Sequence, residues 1–537
     1  MLPDSRARPW PLWLLMIACA GGQGCGGADE RPDAGPAVAA TPAPALRVVA
    51  LTDLQGYLEP CGCSENMLGG IDRFAARVAA LADEAPTLFV AAGDLFHGPE
   101  QHAGPAAEDA ERWRREAARD VLAGLGLAAT VPGAEDLAHR AELSALLAAD
   151  PFPLVVAGEL PGDDASPLRT QAGVLVAVGE LRVGVLGVTS VLAPGPSLAA
   201  ARAEAERLRS EGAQLLVALV SGDRRLARDV REATGARLVV QGGIGRAEAL
   251  APSRDGDGWL LHGGRQGQGV LVADLHRPRS PGDDVDLSAW SMATAGEALD
   301  DEIAALERRI AGWRAEGRAG AAVDRQVARH ATLKAEREAL RPPPFPAEGP
   351  AFEARWIALG AEAPKDAAVG RRLRRLDRRI NTHNQAAFAD RRPPPVPEGE
   401  AGYVGSATCR SCHGAAYEWW RGTPHGRAYA TLEDLDKEFH LDCVGCHVTG
   451  YEEPGGATVT WNRDGALTDV GCESCHGPGS LHVAEPAAHV PPVAPPESLC
   501  VGCHNEEHST AFVFAGYRAL LRGPGHGLPS PDAAGSR

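Results

Sequence analysis

The sequence predicts a layered α/β domain, then a helical segment, then a mostly irregular, partly α-helical domain. Three observations carry that prediction. Short apolar runs alternate with helix-period stretches across residues 46–277, the pattern of stacked strand and helix layers. After residue 296 the apolar spacing changes to steps of four and three. Eight of the twelve cysteines fall after residue 400, all in Cys-x-x-Cys-His phrases.

Residues 46–52 read as a short buried strand that ends in Asp53, and Ile71, Phe74, Val78 and Leu81 recur at helical spacing. Residues 87–92 are a second strand, closed by Gly93-Asp94. Residues 174–178 and 182–188 flank Gly179-Glu180 as a hairpin, and 214–220, 237–240, 259–262 and 270–275 continue the series. In the segment 296–390, Leu299, Ile303, Leu306, Ile310 and Trp313 mark one amphipathic helix, and Val369, Leu373, Leu376 and Ile380 another. A proline run at 342–346 separates them, and 351–359 has room for one strand. Such helices would brace the flanking domains or pair two copies of the chain. Residues 391–400 are a stiff Pro-rich spacer, 401–527 the Cys- and His-rich domain, and 528–537 a tail.

At 44% hydrophobic and 23% charged residues the chain is not largely disordered. No apolar run reaches the roughly 18 residues that span a bilayer. A net charge of -18 argues against nucleic acid as a partner. Only Lys334, Lys365 and Lys437 are lysines among 53 basic residues, a bias of GC-rich coding that weakens arguments from Arg or Ala counts.

Arg6 and Arg8 precede an apolar stretch over 10–18, the form of a secretory signal peptide at 1–18. Met16-Ile17-Ala18-Cys19 resembles a bacterial lipobox, in which the cysteine is lipidated. That implies an exported protein, anchored through Cys19 on the periplasmic or outer-surface side of a bacterial membrane. Residues 19–45 read as a flexible tether.

The four phrases are Cys409-Arg-Ser-Cys412-His413, Cys443-Val-Gly-Cys446-His447, Cys472-Glu-Ser-Cys475-His476 and Cys500-Val-Gly-Cys503-His504. Two thiols at this spacing can bond to both vinyl groups of one haem while the adjacent histidine reaches the iron. Zinc knuckles use the same residue types, but they do not require a histidine after every second cysteine. Four covalent c-type haems are therefore expected, with His413, His447, His476 and His504 as proximal ligands. The sixth positions have six candidates: His425, His440, His482, His489, His508 and His526. A second histidine gives a closed electron-transfer site, whereas a vacant position permits catalysis. Sequence alone does not pair them.

Three stretches, Tyr403–His413, Thr423-Pro-His-Gly-Arg-Ala428 and Val470–His482, resemble the tetrahaem multihaem cytochrome c family. The resemblance implies distal roles for His425 and His482 first, with His508 and His526 behind them. It also implies a protein that sets haem potential and access, working with redox partner proteins.

The region from Leu46 to His276 resembles the calcineurin-like metallophosphoesterase domain of periplasmic 5′-nucleotidases. That family holds two metals at strand ends to activate water and clamp phosphate. Against its ligand phrases, Asp53 and Asp94 remain as remnant metal ligands. Gln55, Ala134, Glu135, Ile244 and Arg246 stand at changed positions, and no histidine follows Val220. Two carboxylates without imidazoles do not assemble such a dinuclear centre, so its presence is doubtful and phosphate ester hydrolysis is not expected. His97 and His262 lie near in sequence; they could rescue one metal, and the simpler reading is that they are ordinary loop residues. The loop Glu59-Pro-Cys61-Gly-Cys63 resembles that of a Cys-Gly-Cys subgroup of nucleotidase-like proteins. Cys61 and Cys63 could form a thiol–disulfide couple, hold a soft metal, or be inert. The reading is an exported tetrahaem electron carrier fused to a phosphoesterase-like binding or thiol-redox module. Its rivals are an active phosphoesterase regulated by haem and a haem-based oxyanion reductase.

Overall fold

Two six-stranded sheets face each other in the first half of the chain. The structure, a computed structural model, describes residues 42–528 except 62–66, 99–103, 150, 162–167, 244, 246–248, 281, 342, 506–507 and 510–511. The signal peptide, Cys19, Cys63, Ile244 and Arg246 lie outside the described residues, and of Cys61 only the backbone is described.

The first sheet runs Val285–Asp286, Ala351–Ala358, Gly269–His276, Leu46–Thr52, Thr87–Gly93, Ala129–Pro132. The second runs Leu250–Asp255, Gly258–His262, Leu238–Gly242, Leu215–Ser221, Leu181–Thr189, Gly173–Val178. Side chains alternate across a strand. Leu46, Val48 and Ala50 therefore enter the core between the sheets, with Val183, Val217 and Val240. Val49 and Leu51 enter the opposite layer, with Phe74, Val78 and Leu81 of the helix Ile71–Glu84. All seven residues of Leu46–Thr52 are buried, because both faces are covered. The hairpin about Gly179 forms as expected, with Val178 opposite Leu181.

The segment after residue 277 is not all helical. Ala351–Ala358 pairs antiparallel with Gly269–His276 along its whole length, so the first sheet recruits a strand from the region read as a helical segment. Ala289–Ala315 and Ala321–Ala339 form a helical hairpin that closes Ile303, Leu306 and Ile310 over Leu333. The helix Ala367–Ala387 is capped by Asp366, whose carboxylate accepts the backbone N–H groups of Ala368 and Val369 at 2.8 Å each. It lays Val369, Leu373 and Leu376 on the α/β body and Ile380 against Trp113. Its last turns then turn polar. Asn381 accepts from the Phe439 N–H at 2.9 Å, and Asn384 donates to the Phe439 carbonyl at 2.8 Å. One helix thus joins the α/β body to the Cys-rich domain, and Ala43–Arg537 is a single compact unit.

The Cys-rich domain is built from short helices around a small core of Tyr403, Tyr429, Val444, Val448, Val459 and Leu467. Buried Glu473 holds it together, accepting the N–H groups of Val404 (2.9 Å), Gly405 (2.7 Å) and Gly479 (2.8 Å). No helix among the described residues is long and apolar enough to cross a membrane.

Candidate functional site

Each Cys-x-x-Cys-His phrase closes a tight turn. In the first, the His413 N–H donates to the Cys409 carbonyl at 2.9 Å; in the fourth, His504 does so to Cys500 at 2.8 Å. The second and third phrases lie in Leu441–His447 and Cys472–His476. Such a turn puts two sulfurs and an imidazole on one side.

The domain brings histidines from distant segments face to face. Ring centres of His413 and His482 are 6.3 Å apart, those of His425 and His504 6.1 Å, and those of His476 and His526 6.0 Å. Two imidazoles on opposite sides of one metal, each about 2 Å from it, need roughly 6 Å between ring centres. The donor set therefore fits a group held between paired histidines. The outward nitrogens are committed as well. Nδ1 of His447 bonds the Ala428 carbonyl (2.6 Å), that of His476 the Pro492 carbonyl (2.7 Å), that of His482 the His489 carbonyl (3.0 Å) and that of His526 the Leu521 carbonyl (2.6 Å). A backbone acceptor on Nδ1 fixes the ring and leaves Nε2 for a metal. Among the described residues His447 shows no ring pairing of this kind; burial lowers its pKa, against the Ala428 carbonyl and the Asp469 charge, and His508 adds a smaller downward push. His440 is committed elsewhere, with Nε2 on the Asp377 carbonyl at 3.1 Å.

The eight cysteines of the phrases form no disulfide with one another. Cysteines of different phrases are neighbours: Cys472 pushes the Cys409 thiol up, and Cys503 the Cys446 thiol. Cys475 feels the charge of Cys500.

A second cluster sits where strands of both sheets end. Asp53 follows Leu46–Thr52 in a left-handed conformation, with φ at 46°. Its Oδ1 accepts the Asp94 N–H at 3.1 Å and both oxygens lie 2.9 Å from the Gly243 nitrogen. Asp94 accepts the Asp136 N–H at 2.9 Å. Asp136 in turn accepts from the N–H groups of Leu95 (2.8 Å), Phe96 (3.1 Å) and His97 (2.9 Å). Glycine is required here: a Cβ on Gly93 would sit 2.0 Å from Asp53 Oδ1, and one on Gly133 2.1 Å from Asp94 Oδ1. Burial lifts Asp53 to about 6, against the pull of its backbone donors. Burial, then the Asp136 charge, lifts Asp94 to about 7.

Asp136, next to the changed positions Ala134 and Glu135, is a site residue that the comparison of ligand phrases does not pick out. Its signal was a carboxylate in the first turn of Ala134–Ala138. His97 does join the cluster: its Nδ1 lies 2.9 Å from Asp136 Oδ1, and its ring stacks on His139 at 4.6 Å. His262 bonds the Gln241 carbonyl at 2.9 Å.

The family described as cytochrome c554 and c-prime matches residues 408–477. The cytochrome c-554 of Nitrosomonas europaea is 39% identical over 95 residues, 15% of this chain and 40% of that protein. The chain thus spans less than half the length of the curated relative it matches. These matches imply covalently bound haem and a c-type electron carrier in this region. The α/β part is similar to solved phosphoesterase-type folds. An NAD nucleotidase from Haemophilus influenzae is 16% identical, with 44% of this chain and 48% of that one covered and a TM-score of 0.35. A sulfate thiohydrolase from Thermus thermophilus, in complex with glycerol, is 14% identical over 66% and 63% of the two chains, with a TM-score of 0.42. A 5′-nucleotidase from Candida albicans is 12% identical over 44% and 49%, with a TM-score of 0.32.

Proposed function

We propose that this chain is an exported tetrahaem electron-transfer protein, lipid-anchored through Cys19, whose phosphoesterase-like domain has lost its dinuclear metal site. The observation that carries the reading is the set of three histidine pairs at 6.0 to 6.3 Å, each joining a phrase histidine to a distant one. Bound haem supplies reversible one-electron chemistry. The chain's residues would hold it: the eight phrase cysteines through thioethers, and His413, His447, His476 and His504 together with His482, His425 and His526 as imidazole donors. His508 is the candidate opposite His447. Backbone carbonyls on Nδ1 hold the rings and keep the imidazoles basic.

Loss of the metal site is supported by where the lone pairs go. Asp53 and Asp94 spend theirs on the N–H groups of Gly243, Asp94 and Asp136. Gln55 stands where a metal-binding imidazole would be expected. The domain then serves as a binding module, or carries a redox pair at Cys61 and Cys63. Redox proteins are the partners, and the hairpin Ala289–Ala315/Ala321–Ala339 is a surface for pairing two copies.

Quantitative metal analysis tests this on protein matured in a host that attaches c-type haem. Iron near four per chain, without manganese or zinc, is the expected result. One or two further metals would restore the phosphoesterase reading, and zinc without iron would sink the haem reading.

A further inference from the structure

Where the last turn of Ala367–Ala387 meets the Cys-rich domain, Gln385 forms one wall of a cavity of about 470 Å³. That is the size of a small-molecule site. Its charged walls are Arg427, Glu433, Glu438 and Asp469, one cation against three carboxylates.

The cavity is separate from the haem-holding surface. No phrase residue and none of the six candidate distal histidines lines it. The helix Ala428–Glu433 stands between the two. Its Ala428 carbonyl accepts from His447 Nδ1 at 2.6 Å, and the Thr431 hydroxyl lies 3.5 Å from the same nitrogen. Tyr429, Ala430 and Glu433 line the cavity instead. Residues 428 and 431 share one face of a helical turn, and 429, 430 and 433 lie off it.

The charges around the cavity are not spent on one another. Among the described residues, Arg427, Glu433 and Glu438 take part in no ion pair. Glu438 Oε2 is buried with no hydrogen-bond partner among them. Asp469 accepts only a neutral donor there, the Tyr429 N–H at 2.8 Å, which leaves its charge in place. Nearby cations are committed elsewhere: Lys437 pairs with Glu59 of the α/β body, and the Arg463 guanidinium donates to the Tyr403 carbonyl. A carboxylate oxygen buried without a donor is costly, and a cation held beside it offsets that cost.

We propose that this cavity binds a small organic dication, an aliphatic diamine whose two ammonium groups lie against separate carboxylates. One positive and three negative walls leave a net charge of -2, which two ammonium groups neutralise. Such amines are protonated at neutral pH, as lysine is. A metal ion needs its oxygens gathered on one point. Among the described residues no group of three acidic, histidine or cysteine side chains is placed to hold one. An extended ligand can reach carboxylates spread around a wall, with charge-assisted hydrogen bonds at each end. Such binding would be independent of the number of haems.

The test is calorimetric titration of the full haem-loaded chain with 1,4-diaminobutane at pH 7 and low salt. Saturable binding of one diamine per chain is expected, weakening as salt is added. Butane-1,4-diol, which lacks the charges, and magnesium ion should not bind there. Glu438→Gln and Glu433→Gln should each raise Kd about tenfold by removing one charge-assisted contact. Arg427→Gln removes a like charge and should lower Kd. Ala430→Phe, at an exposed position of the helix, should fill the cavity and abolish binding. No saturable heat from the diamine, equal binding of the diol or of magnesium, or an unchanged Kd in both glutamate variants overturns the proposal. Weaker binding in Arg427→Gln overturns it too, since that marks a site for anions. Haem content is read on the same samples; a haem-free wild-type chain sinks the tetrahaem reading and leaves the diamine result standing.

Discussion

The imidazoles of His413 and His482 face each other with ring centres 6.3 Å apart and planes inclined by 26°. His413 closes the first phrase, and His482 sits on Ser480–Ala484, just beyond the third. His482 is held by its Nδ1 bond to the His489 carbonyl at 3.0 Å, on the other nitrogen from the one left for a metal. The pairing is thus a property of the polypeptide.

Removing one member of a pair should open one iron. His482→Ala, His425→Ala and His526→Ala should each convert one haem to a high-spin ferric form, seen by electron paramagnetic resonance. His440→Ala should leave the spectrum unchanged, because its Nε2 is committed to the Asp377 carbonyl. A high-spin signal from His440→Ala would refute the assignment.

Glu473→Ala should destabilise the Cys-rich domain strongly. The substitution leaves the N–H groups of Val404, Gly405 and Gly479 without their buried acceptor. The cost is about 3 kcal/mol. Denaturant unfolding followed by haem absorbance would measure it, and a loss under about 1 kcal/mol would show that the clamp is dispensable.

The strand-end carboxylates should make the α/β domain less stable as pH rises. Asp53 and Asp94 titrate at about 6 and 7 in the fold, above the ordinary carboxylate value of 3.8. The folded state therefore binds more protons between those values, and the contribution is full below pH 3.8 and lost as pH climbs through 6 to 7. Asp94→Asn keeps an oxygen for the Asp136 N–H and removes the charge. It should stabilise the protein at pH 7.5 by on the order of 1 kcal/mol and do little at pH 4. A stabilisation equal at both pH values would contradict the account.

Cys19→Ser should release the chain from the membrane fraction into the soluble one, with no change in haem content. A single lipid-bearing terminus is then the whole attachment. Retention in the membrane fraction would show a second anchor.

How much of this was readable follows from what each contact involves. Residues 46–52 were legible because burial on both faces forces an unbroken apolar run. The phrase histidines were legible because covalent haem attachment dictates residue type and spacing together. Asp136 was not, because its donors are main-chain N–H groups at residues 95 to 97, and main-chain contacts leave no mark on side-chain identity. The strand Ala351–Ala358 was visible as a strand, but its place beside Gly269–His276 depends on the path of a helical hairpin between them. The histidine pairings needed the fold, since each joins segments far apart in sequence. Lys437 carried a weak signal, as one of three lysines in an arginine-rich chain.

On the tetrahaem reading proposed above, the neighbouring cysteines set an order among the phrases. Cys409 neighbours Cys472, Cys475 neighbours Cys500, and Cys503 neighbours Cys446. Charge relayed between neighbours would visit the phrases in the order first, third, fourth, second, rather than as translated. The two ends of that wire differ. One is the first phrase, where Cys412, like Cys503 of the fourth, is open to solvent. The other is the second phrase, pressed against Arg114 and Glu59 of the α/β body. The two ends thus differ in surroundings, one facing solvent and the other lying against the α/β body.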